Sequence, residues 1–150
     1  MVKTLDDNAM PPLIDHVGWR LWRLARQWKA EFDTAMAARG HGWMAEARGA
    51  VVGHLRPGGV SQSALPAAMG VSKQDVQQLV DELVAEGIVE RIPDPTDGRG
   101  RIVRLLPRGK QAIADGNEVK LEIEARYADR IGAGRLAALN AALDVLAEGT

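Results

Sequence analysis

Residues 61–110 read SQSALPAAMGVSKQDVQQLVDELVAEGIVERIPDPTDGRGRIVRLLPRGK, and this stretch decides the fold. Ser61 is placed to cap a first helix, with Ala64, Leu65, Ala68 and Met69 as its apolar face. Gly70 supplies the turn, because a residue without Cβ enters the left-handed backbone of a tight turn without strain. Ser72 caps a second helix whose buried stripe is Val76, Leu79, Val80, Leu83 and Val84, and Gly87 stops it. Ile88–Ile92 and Arg101–Leu106 are β-like. The intervening Pro93-Asp94-Pro95-Thr96-Asp97-Gly98 is dense in turn residues, which predicts a hairpin with a long tip. Helix, glycine turn, helix and basic hairpin together make a winged helix-turn-helix.

Charge is segregated within the same stretch. From Arg91 to Lys110 six cations face two acids, whereas from Ser72 to Glu86 Lys73 stands alone against Asp75, Asp81, Glu82 and Glu86. The net charge of −1 conceals this cationic finger, so segments inform more than the sum.

On the N-terminal side, Leu13, Val17, Leu21, Leu24, Trp28, Phe32 and Ala35 recur at steps of three and four. They predict one long helix over Leu13–Arg39. Trp19 and Trp22 lie off that stripe, and a helix apolar on two faces has two surfaces to cover. For a chain of 150 residues the second is a second subunit. A shorter helix is expected over Trp43–Leu55, before Pro57-Gly58-Gly59 breaks the chain. On the C-terminal side Pro107 opens a helix running to about Arg130, with Gly116 weakening its middle. A last helix spans Ala133–Ala147 on a seam of Leu136, Leu139, Leu143 and Leu146. The expected fold is mainly α with one β-hairpin. Its parts are a flexible segment 1–12, a helical dimerisation region 13–40 and 107–150, and a winged DNA-binding region 43–106.

Composition narrows the classes. With no cysteine there is no disulfide framework, zinc-thiolate site or thiol sensor. No apolar run reaches the roughly 18 residues of a membrane helix and no signal peptide is visible, so a cytoplasmic chain without membrane contact is expected. No phosphate-cradling loop, nucleophile elbow or zinc-protease helix occurs, so no enzyme and no cofactor are expected. His16 and His54 lack neighbours at metal-ligand spacing, which argues against a metal site.

The candidate chemistry is recognition of double-stranded DNA. The second helix leads with Ser72, Lys73 and Gln74, followed by Gln77 and Gln78. Glutamine pairs bidentately with adenine and lysine pairs with guanine in the major groove. Arg99 and Arg101 on the hairpin suit a narrow, electronegative minor groove. Ser61, beside Gln62, and Ser72 open helices whose free N–H groups suit phosphates. A glutamine-bearing helix is most often only a solvated face, and winged helices also bind proteins, so a protein-interaction module is the competing reading.

The run Val71-Ser72-Lys73-Gln74-Asp75-Val76, then Leu79-Val80-Asp81-Glu82-Leu83 and Glu86-Gly87-Ile88-Val89-Glu90-Arg91, resembles the MarR family of transcriptional regulators. So does Asp94-Pro95-Thr96-Asp97-Gly98-Arg99, continuing to Val103-Arg104-Leu105 and Gly109. The resemblance implies a homodimer through the outer helices, reading a palindromic operator, most often as a repressor. It makes Arg99 the minor-groove arginine and Asp97 an acid that braces the wing through an ion pair. Three positions depart from the family pattern. Gly98 replaces a second arginine, Asp75 puts an acid on the leading turn, and Pro66 sits inside the first helix, where it shifts the start toward Ser63.

Such regulators often respond to small ligands. Trp19, Trp22, His41, Trp43 and Met44 are the candidate lining of a cleft for a small aromatic effector. The same tryptophans read more simply as core or interface anchors. A small-molecule binding protein with little DNA affinity is the third reading.

Overall fold

A computed structural model gives the structure of residues 8–148. Of the segment 1–12, residues 1–7 lie outside that range, and 8–12 carry neither helix nor strand. The elements are α1 (Val17–Ala38), α2 (Gly49–Val52), β1 (Val60–Ser61), α3 (Leu65–Met69), α4 (Lys73–Ala85), β2 (Val89–Asp94), β3 (Asp97–Leu105), α5 (Pro107–Ile131) and α6 (Ala133–Glu148). Two 3₁₀ turns, Gly42–Ala45 and Gln62–Ala64, join them. Among the described residues no helix is long and apolar enough to cross a membrane.

The first helix starts later than its apolar stripe. His16 takes extended backbone and its Nδ1 accepts the Trp19 N–H at 3.2 Å, capping the helix there. Leu13 and Ile14 are left outside the helix and exposed. The helix expected over Trp43–Leu55 is broken instead into a 3₁₀ turn and the single turn α2. Glu46 adopts extended backbone between them. Gly49 lies so close to the Met44 carbonyl that any Cβ would overlap it.

Ser61 is not a helix cap but a strand residue. Val60 and Ser61 pair with Val103 and Ile102, giving a three-stranded antiparallel sheet in the order β1-β3-β2. The Ser61 hydroxyl meets Ser63 Oγ at 2.9 Å rather than a helix N–H. α3 begins only at Leu65, which puts Pro66 in its first turn. There the missing N–H would have had no partner, so the proline costs the helix nothing. A two-residue strand has no alternation to read, which is why β1 escaped the sequence pattern.

Gly70 takes φ 68° and ψ 32°, and the turn closes through Val71 N–H donating to Pro66 O at 3.1 Å. Ser72 Oγ then accepts the Asp75 N–H at 3.0 Å and starts α4 as expected. The hairpin tip is shorter than expected. The strands run to an Asp94–Asp97 pair, with an irregularity at Pro93/Asp94, leaving Pro95 and Thr96 as the turn. Asp94 Oδ1 accepts both the N–H and the hydroxyl of Thr96 at 2.8 Å, a local closure that holds this turn tight. The Thr96 N–H, foremost, holds the Asp94 carboxyl below its ordinary value.

One interior lies under the winged part, where Val51, Leu65, Val76, Val80, Leu83, Ile88, Val89 and Val103 are buried together. Each contributes about 1.5–3 kcal/mol by leaving water. A smaller interior joins α1 to α5 through Met36, Val119 and Ile123, flanked by Trp28 and Phe32. α5 runs unbroken through Gly116, which is buried near Phe32 and Met36, where the two helices meet. Met44 packs against both interiors.

Candidate nucleic-acid interface

The recognition helix α4 is held from behind by Val76, Val80 and Leu83, so its other side faces outward. Ser72, Lys73, Gln74, Asp75, Gln77 and Gln78 are all exposed there. Asp75 occupies the first turn, where a negative charge meets the positive end of the helix. On the wing, Arg99 and Arg101 are exposed on β3. Asp97 Oδ1 accepts the Arg99 backbone N–H at 3.1 Å, a main-chain brace where the resemblance implied an ion pair. Among the described residues the Arg101 guanidinium reaches its neighbouring carbonyl, Gly100 O, at 3.1 Å.

These two projections border one open cleft of about 430 Å³, lined by Gln62, Lys73, Gln77, Arg91, Arg99 and Arg101 among others. Within it, the sequence-predicted residues divide. Gln62 and Gln77 are tied to each other, Nε2 of the first donating to Oε1 of the second at 2.6 Å. Gln77 Nε2 also donates to Asp81 Oδ1 at 3.1 Å. Lys73, Gln74 and Gln78 are exposed beside them.

Arg91 was missed as a site residue and counted only as charge. Its Nε donates to Gln62 Oε1 at 2.7 Å, and its terminal nitrogen lies 2.7 Å from Asp81 Oδ1 and 3.3 Å from Gln77 O. A signal was available: on a strand, Arg91 shares a face with the core residue Val89, and an inward arginine needs partners.

The proposed aromatic cleft does not assemble. Trp19 and Trp22 stack on each other at 5.2 Å and are about half exposed, with Arg26 over the Trp22 ring. Trp22 stands about 24 Å along the helix axis from Ala38, at a rise of roughly 1.5 Å per residue. Trp43 is instead an anchor of the winged interior. His41, also buried, places Nε2 2.7 Å from Asp115 Oδ2. Arg39 completes this junction through Glu118 and Glu122, at 2.6 and 3.0 Å. The His41 hydrogen bond, foremost, then those of Gln111 and the Arg39 charge, holds the Asp115 carboxyl below its ordinary range.

Residues 49–100 match the MarR family. A putative transcriptional regulatory protein for the hcr operon of Thauera aromatica is 39% identical over 56 residues, which cover 37% of this chain and 34% of that protein. The match thus spans about a third of that relative. The crystal structure of wild-type MarR (apo form) from E. coli superposes with a TM-score of 0.70 at 20% identity, covering 90% of this chain and 98% of that one. RV1404 from Mycobacterium tuberculosis gives 0.76 at 20% identity, covering 93% and 97%. Residues 49–100 are thus similar to the MarR family, and the described residues share the fold of MarR.

Proposed function

We propose that the chain is a transcriptional regulator that binds double-stranded DNA as a homodimer, most simply as a repressor on a palindromic operator. The observation that carries this reading is the single cleft bordered by both the leading turn of α4 and the wing arginines. Lys73 at this cleft, with Gln74 and Gln78 exposed on the same helix, faces bases in the major groove. Arg99 enters the adjacent minor groove and Arg101 follows the backbone. Ser61, Gln62, Ser72 and Gln77 flank these contacts, and Asp97 holds the wing tip. Residues 13–40 and 107–150 form the dimer, and 43–106 the reading head.

Selection of bound sequences from a random DNA pool tests this directly, and it should return a palindrome. Arg99→Ala should lower the slope of log affinity against log salt by about one, with loss of affinity at every sequence. Unchanged binding by a variant lacking both Arg99 and Arg101 would refute the reading. No gel shift even at low salt would favour the protein-interaction module instead.

A ligand reading is favoured by a different place from the tryptophans. A cleft of about 690 Å³ lies between the loop before β1 and the start of α5. Leu55, Leu105, Leu106 and Ile113 line it, while Arg56 and Lys110 at its edge have no ion-pair partner among the described residues. An effector there is a small organic anion with an apolar body, an aromatic acid being the simplest. Titration with such acids should release DNA, and charge removal at Lys110 should weaken the response.

A further inference from the structure

We infer that Arg91 is a positioning residue that sets the angle between the recognition helix and the wing, and that Gln62, Gln77 and Asp81 are the parts it locks. This rests on the DNA-binding reading for its consequence, but not for its geometry. Three elements meet at this guanidinium. Gln62 comes from the 3₁₀ turn before α3, Gln77 and Asp81 from successive turns of α4, and Arg91 from β2. The polar contacts close on one another: Arg91 to Gln62, Gln62 to Gln77, Gln77 to Asp81, and Asp81 back to Arg91. The Arg91 side chain is 21% exposed and its bond to Gln62 is partly shielded from water and from salt, while the contacts among Gln62, Gln77 and Asp81 lie at the surface.

The arrangement suits a brace better than a DNA contact. Five donors spread over three nitrogens of a planar fork can hold partners on different edges at fixed angles, whereas the donors of a lysine radiate from one nitrogen. With Nε on Gln62 and a terminal nitrogen on Asp81, the charge that could meet a phosphate is already neutralised. The glutamines are occupied as well, since Gln77 uses both ends of its amide inside the protein. Two of the residues that sequence alone assigns to DNA contact, Gln62 and Gln77, are therefore tied up within the protein in the free chain. Beside the buried packing of Val76, Val80 and Leu83 against Val89 and Val103, this cluster is the polar tie between α4 and β2, and it limits how far Arg99 can move relative to Gln74. Reading two adjacent grooves together requires that spacing to be held before binding.

Two arms test the clamp, using the whole chain. In the first, binding to the selected operator and to random duplex is compared for Arg91→Ala, Arg91→Lys and Asp81→Asn, with Arg99→Ala as the phosphate-type control. Arg91→Ala should lose about tenfold or more in operator affinity (one decade per ~1.4 kcal/mol) while random-duplex affinity and the salt slope hold. Arg91→Lys should recover little of it. Equal loss on both duplexes with a salt slope lower by about one would make Arg91 a backbone contact and overturn the clamp.

The second arm needs no DNA. The chain has no cysteine, so nitroxides can be attached through Gln74→Cys and Gly98→Cys, the latter at a site open to solvent. Labelled chain is diluted into excess unlabelled chain so that distances within one copy are read. Arg91→Ala should broaden the distance distribution with the melting temperature of the fold retained. An unchanged distribution overturns the clamp whether or not the protein binds DNA. A clamp that broadens beside a wild type that selects no operator counts against the DNA reading alone.

Discussion

Leu65, Val80, Leu83 and Val103 in the winged region have no exposed surface, whereas Val17, Leu121, Val145 and Leu146 in the helical region stand 62–71% exposed. The winged region closes around its own interior within one copy of the chain. The helical region does not: α1 and α5 share a small interior, and α6 is apolar with only Leu136 buried. Apolar surface on this scale is what an association interface leaves behind when one copy is viewed alone. The difference teaches that the winged region is stabilised by internal packing, whereas the helical region leaves apolar surface uncovered within one copy, the surface that the proposed dimer would use.

Removing a side chain from each region tests that contrast. Leu83→Ala opens a cavity in a closed interior and should cost about 2–5 kcal/mol in chemical denaturation, independent of protein concentration. Gly49→Ala should cost about 1–3 kcal/mol, because its Cβ has no room beside the Met44 carbonyl. Leu121→Ala should cost little by the accounting of a single copy. If the helical region is a dimer interface, sedimentation should show association weakened by about tenfold, or ~1.4 kcal/mol, with stability becoming more concentration-dependent. Indifference of Leu121→Ala in both measurements would break the contrast.

The junction between the regions gives the smallest effect, visible only in acid. The Asp115 carboxyl is depressed by His41, Gln111 and Arg39, so its contribution is present above the ordinary carboxylate value near ~3.9 and is lost as pH falls below it. The wild-type melting temperature should therefore fall more steeply than that of Asp115→Asn between about pH 5 and pH 3. Parallel curves would remove Asp115 from the junction.

Much of the winged region was legible because its signals are local. Gly70, Ser72 and the stripe from Val76 to Leu83 each act within a few residues, and the turn, cap and helix formed where they predicted, although Val84, expected in the buried stripe, is exposed. The misreadings share a cause, which is that a distant partner decided the outcome. Ser61 looks like a cap until Ile102 of β3 pairs with it. Trp43 looks like part of a cleft until the winged interior claims it. Arg91 looks like one cation among six until Gln62 and Asp81 arrive from other elements. The start of α1 failed for the opposite reason: periodicity continues to Leu13, but the His16 ring ends the helix locally.

Met44 touches both interiors, and its flexible thioether makes it a shared bearing between head and stalk. Loosening either side removes packing from Met44, so damage in one compartment is felt in the other. Heating should accordingly melt the folded chain in one cooperative step, and oxidation of that single sulfur should split the step in two.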